Sequence, residues 1–223
     1  MKKKSIKKKS FRNKNKEDRK DSKIVLSLVF LVLFLFLMNL VTLNNRIINS
    51  IDSSAENYST SIRNGFLTSF MKIITDLGDW KIIFVLTAII AAFLLYRKKL
   101  KHLFVLILSV VAGEGIIWTI KNLVERARPD VVNALVYESS YSFPSGHAFI
   151  SLSFYALIMY FVYKSSESKT IKTITVIASL LIVFLIGVSR VYLGVHWISD
   201  VVAGSFLGIC WVFLMIFIFK SIK

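Results

Sequence analysis

Lys121, Arg128, His147, Arg190, His196 and Asp200 are the residues of this 223-residue chain whose types and spacing could do chemistry. His196 and Asp200 stand at i and i+4, so on a helix that has already begun their side chains share a face. A carboxylate on one imidazole nitrogen fixes the tautomer and frees the other nitrogen as a nucleophile. The same pair can equally be an ordinary core hydrogen bond. His147 closes the stretch Pro144-Ser145-Gly146-His147, directly before a long apolar run. Ser145 reads as the N-cap of the helix that follows, and Gly146 lets a ligand approach the backbone. The free N–H groups of such a helix start attract phosphate or carboxylate. A cap alone needs only the serine; the histidine adds a group able to protonate a leaving oxygen.

The cations complete the set. Lys121 and Arg128 are seven apart and would project from one face of a continuous helix running up to Pro129, which disfavours helical geometry at the residue before it. Taken singly, snorkelling to lipid headgroups explains such residues equally well. Together with Arg190 and the start at Ser145–Gly146, they suit transfer of a phosphoryl group to His196. His147 would protonate the departing oxygen, and the cations would stabilise the equatorial oxygens. Zinc held by His147, His196 and Asp200, with help from Glu125 or Asp130, is the rival chemistry. Three nearby cations oppose it, so neither a metal nor another cofactor is expected.

These residues need elements to position them, and the composition says which kind. The chain is 55% hydrophobic, and its apolar residues come in blocks long enough to span a bilayer. The formal net charge of +16 does not point to nucleic acid, because much of the surplus sits in one lysine-rich tail abutting an apolar run. An all-α, polytopic membrane protein is expected, with six transmembrane helices near 24–43, 81–96, 103–120, 148–163, 173–189 and 201–219. The first is too long for a signal-peptide core and lacks a cleavage site. Lysine or arginine marks the N-terminal tail, 97–102, 164–172 and the last residues, which puts both termini in the cytoplasm and the candidate residues outside. The expected divisions are a tail (1–23), a first helix with external loop (24–64), a helical domain (65–219) and a short C-terminus (220–223).

Within that frame, 44–64 reads as an exposed loop. Phe66, Phe70, Ile74 and Leu77 then recur at helical spacing, as an interfacial helix or as the first turns of the second span. Glu114, seven residues before Lys121, is an intramembrane ionisable group and a functional candidate. Cys210 reads as packing, His102 as a surface residue, and Trp80, Trp118 and Trp197 as an aromatic belt.

Three motifs now stand complete and in order: Lys121-x6-Arg128-Pro129, Pro144-Ser145-Gly146-His147 and Ser189-Arg190-x5-His196-x3-Asp200. In them the chain resembles the type 2 phosphatidic acid phosphatase family, over about residues 65–215. The resemblance implies a six-helix membrane phosphatase with an extracytoplasmic site and no metal. By it, His196 forms a phosphohistidine, Asp200 orients it, and His147 is the general acid. Lys121, Arg128, Ser145, Gly146 and Arg190 hold the phosphate. Bacterial members resembling this chain act on undecaprenyl diphosphate, phosphatidylglycerol phosphate or related lipids. Three cations favour the more highly charged diphosphate, so undecaprenyl diphosphate is the expected substrate. The alternatives are phosphatidylglycerophosphate or phosphatidic acid, transfer to another lipid, or a non-catalytic lipid-binding or transport role.

Overall fold

The computed structural model describes residues 2–129 and 133–222, with side chains from Ser22 onward. The described residues form helices α1 (Lys2–Thr42), α2 (Arg46–Ser61), α3 (Gly65–Asp76), α4 (Trp80–Tyr96), α5 (Leu100–Val124), α6 (Gly146–Ser165), α7 (Lys169–Tyr192) and α8 (Ile198–Ser221). By length and composition, α1 from Ser22, α5, α6, α7 and α8 can each cross a membrane, and α3 and α4 pass the same test only as a pair, bent by 46° at the break between them. The chain is a multi-pass, all-helical membrane protein.

Polar residues at the helix starts explain where these elements begin. Asn45, Asn64, Asp79, Ser145 and Ser168 each accept a hydrogen bond from a backbone N–H in the first turn that follows, as N-caps do. Asp79 thereby restarts the chain as α4 after α3 has ended. The stretch after residue 64 is thus a separate helix packed on α7, broken from the following span. Its inward residues are Met71 and Thr75, whereas Phe66 points outward.

Helix α8 is the spine of the bundle, with α1, α6, α5 and α2 packed against it. In lipid, no hydrophobic drive pulls apolar helices together, so close backbone approach and buried hydrogen bonds must. Both are visible. A Cβ on Gly204 would lie 2.5 Å from the Ser145 carbonyl oxygen, and one on Gly208 would lie 3.3 Å from the Phe149 carbonyl oxygen. Ser27 of α1 donates to the Cys210 carbonyl at 2.9 Å, and the Cys210 thiol packs beside it. His102 is not a surface residue: it is half-buried, edge-on between Phe161 and Phe219 at 4.8 and 4.7 Å.

Residues 46–61 correct the expectation of a loop. They form α2, which packs on α7 and α8. Its inward stripe is Ile48, Asp52, Ala55 and Ser59, with Asp52 and Ser59 buried. Two polar residues in four hide that stripe from a hydrophobic pattern.

Candidate active site

Four helix ends meet at one end of the bundle: the C-termini of α5 and α7 and the N-termini of α6 and α8. The lysine-bearing connections lie at the other end. Helix α5 stops at Val124, with Glu125 left-handed at φ 51°, four residues short of Arg128. Lys121 and Arg128 therefore do not share a helix face. They meet because the chain after Glu125 is no longer helical and brings Arg128 to the same cavity as Lys121.

The two line a cavity of about 360 Å³ together with Gly146, His147, His196, Glu138, Ser140, Gly78, Glu114, Ile117, Ile150, Trp80 and Trp118. The buried Lys121 ammonium donates to the Tyr141 carbonyl. Arg128 donates to the carbonyls of Ser140 at 2.7 Å and Val195 at 2.6 Å, which fixes its guanidinium in the cavity wall. His147, in the first turn of α6, lies beside the α3–α4 break, its ring 3.5 Å from a Cβ placed on Gly78, which is ordinary van der Waals contact.

His196 sits in the short link between α7 and α8 and is 2% exposed. Its Nε2 is 3.4 Å from an Arg128 nitrogen. A guanidinium can only donate, so Nε2 presents its lone pair and Nδ1 carries the proton. Nδ1 lies 3.5 Å from Asp200 Oδ2 and 3.4 Å from Ser142 Oγ. Burial, then the charges of Arg190, Arg128 and Lys121, push the His196 pKa well below the ordinary histidine value. The ring stays neutral through the range where an exposed histidine takes up a proton. Asp200 is at the third position of α8 and also accepts from the Trp197 N–H at 3.0 Å, so the start of the helix orients the carboxylate.

Ser145, Arg190 and Asp200 do not line the cavity; they hold residues that do. The Ser145 N–H donates to the Asp200 carbonyl at 3.0 Å, which docks the start of α6 on α8. Arg190 is fully buried, donating to Thr75 at 2.7 Å and to the Glu138 carboxylate. Glu138 also reaches within 4.0 Å of Arg128. Sequence reasoning missed Glu138, Ser142, Thr75, Asp52, Ser199 and the part played by Arg126. None of these carries a local signal, since their partners are far away in the chain.

Asp130 lies outside the described residues, and Glu125 lines a different cavity, with Asp52 and Trp197. Among the described residues, no three of His, Cys, Asp and Glu are grouped to hold a metal ion. Glu114 stands on the outer surface of α5 at the cavity wall, beside the exposed Trp118.

Comparison with known proteins agrees with this architecture. Residues 98–222 match the family model of the PAP2 superfamily. The chain is 36% identical over 186 residues to phosphatidylglycerophosphatase B of Bacillus subtilis (strain 168), covering 82% of this chain and 91% of that protein. Its fold is similar to the crystal structure of a transmembrane PAP2 type phosphatidylglycerolphosphate phosphatase from Bacillus subtilis, with TM-score 0.81 and 33% identity over 88% of this chain and 97% of the other. It is also similar to Aquifex aeolicus LpxE, with TM-score 0.59 and 25% identity over 74% and 94% of the two chains.

Proposed function

Because the chain belongs to the PAP2 superfamily, we propose that it is a lipid phosphatase working through a phosphohistidine on His196. The observation that carries this is the placement of His196, with Nδ1 toward Asp200 and Nε2 turned to a cation-lined cavity that His147 shares. Nε2 attacks phosphorus, the bond to the lipid oxygen breaks, and His147 protonates that oxygen as it leaves. Water then attacks the phosphohistidine, returns a proton to His147 and releases inorganic phosphate. Lys121, Arg128 and the N–H groups at Gly146 and His147 hold the phosphate oxygens. Arg190 and Ser145 support them from behind, through Glu138 and the docking of α6.

Phosphatidylglycerophosphate is the substrate this reading favours. The similar protein from Bacillus subtilis is named for it. Glu138 also lowers the positive excess on which a preference for undecaprenyl diphosphate rests, since its carboxylate pairs with Arg190 and approaches Arg128. Purified protein in EDTA, offered phosphatidylglycerophosphate, phosphatidic acid and undecaprenyl diphosphate, is expected to release phosphate fastest from the first, with kcat/KM about tenfold above the diphosphate. The reverse order would restore the carrier-lipid substrate. Activity lost in EDTA and regained with zinc would sink the metal-free scheme.

The site faces away from the cytoplasm in this proposal. The support is charge: Lys98, Lys99, Lys101, Lys164, Lys169 and Lys172 lie at the bundle end opposite the cavity. A cysteine at Ser53, exposed on α2, is expected to react with an impermeant thiol reagent in intact cells. One at Ser166, between α6 and α7, is expected to react only after permeabilisation. Labelling of Ser166 from outside would invert the topology.

A further inference from the structure

Asp52 is a carboxylate on α2 that is 2% exposed, far from the three motifs in sequence and outside the cavity wall. Burying a charge is costly unless it is paired, and Asp52 is paired completely. Its Oδ2 accepts from Arg126 at 2.7 Å and from the Ser199 hydroxyl at 2.7 Å, and its Oδ1 accepts from the Ser199 N–H at 2.9 Å. The other end of the Arg126 guanidinium donates to Asp200 Oδ1 at 2.5 Å and to Ser199 Oγ at 2.7 Å. Arg126 also lies over the Trp197 ring at 5.5 Å.

This arrangement divides the two oxygens of Asp200. Oδ1 is taken by Arg126, whereas Oδ2 is left to Ser142, the Trp197 N–H and His196. A guanidinium prefers both oxygens of one carboxylate. Only a second acceptor on its far nitrogen keeps it from taking Oδ2 as well. Asp52 is that acceptor.

We propose that Asp52 is a positioning residue for the phosphatase reaction: by holding Arg126 it keeps Asp200 Oδ2 available to orient His196. The proposal rests on the phosphatase reading above. It makes α2 a working part of the site and not merely an external cover.

The test is steady-state kinetics on the full-length protein with its best lipid phosphate, plus inhibition by inorganic phosphate. Asp52→Asn is expected to lower kcat on the order of tenfold, because weakening the far acceptor of Arg126 lets the guanidinium turn toward Asp200 Oδ2 and loosens the orientation of His196. KM and the inhibition constant for inorganic phosphate should stay within about twofold, because the anion-binding wall is untouched. Asp52→Glu should regain most of the lost kcat. Arg126→Gln should also be slow, and the double variant no more than about twofold below the worse single, because both changes act through Asp200.

Parallel losses in kcat and phosphate binding, or multiplicative losses in the double variant, would show a structural tether and overturn the proposal. Should Asp52→Asn fail to accumulate, Ser199→Ala removes one link of the network and keeps both charges. It is expected to lower kcat about threefold at unchanged KM, and an unchanged kcat would overturn the idea. Wild-type protein inert on every lipid phosphate would instead overturn the phosphatase reading and this proposal with it.

Discussion

Replacing His196 with alanine is expected to abolish turnover, lowering kcat by a factor on the order of 10^5, the scale seen when a nucleophile that acts as part of a unit is removed. No other described side chain on the cavity wall combines a neutral nitrogen lone pair with a carboxylate on the opposite ring atom. Substrate binding should survive, since Lys121, Arg128 and the α6 start remain. His147→Ala is expected to behave differently. Its loss should be large for a lipid alkoxide, a poor leaving group that needs the proton, and small for an aryl phosphate, which leaves unprotonated. Acid-quenched protein exposed to labelled substrate should carry a phosphoryl group in wild type and none in His196→Ala. More than about a hundredth of wild-type turnover in His196→Ala would place the nucleophile elsewhere, or give water that role directly.

Gly204→Ala is expected to damage both stability and activity, although residue 204 touches no substrate. The added methyl would sit 2.5 Å from the Ser145 carbonyl oxygen and 3.3 Å from the Ala148 Cβ. The obstacle at 2.5 Å is backbone, which cannot turn aside as a long side chain can. The start of α6 must therefore move off α8, straining the bond from the Ser145 N–H to the Asp200 carbonyl. Overpacking of this kind costs about 1–3 kcal/mol. A displacement near 1 Å at Gly146 and His147 would lower kcat roughly a hundredfold. Gly115→Ala is the control, because nothing lies within 4 Å of its added carbon. In a helix it should be neutral or slightly stabilising. Equal unfolding temperatures and equal activities for the two variants would refute the packing argument.

Much of the architecture was legible in the chain alone because it depends on nearby residues. Apolar runs of bilayer length mark the spans, and lysines between them mark one end of the bundle. Ser145 caps α6 through a bond to a residue three positions on, and His196 approaches Asp200 across only four positions, although His196 lies in the link before α8 begins. The motif pattern named the family before any contact was visible. The stop of α5 was less legible: Pro129 signals an end, yet the break came earlier, at the left-handed Glu125.

What only the tertiary structure decided is which distant charges meet. Asp52 and Ser199 are 147 residues apart, and Arg190 and Glu138 are 52 apart. No spacing rule links such pairs, because their proximity is set by how the helices pack. That packing follows close backbone contacts such as Gly204 against Ser145, summed over the whole bundle. The effective charge of the site follows from the same packing. Counted along the chain, Lys121, Arg128 and Arg190 are three free cations; in the fold, Arg190 is tied to Glu138 and Arg126 is shared between Asp52 and Asp200. Local periodicity therefore determined the spans, the motif residues and the chemistry they suit, whereas long-range packing decided the charge they present and the partners that aim them.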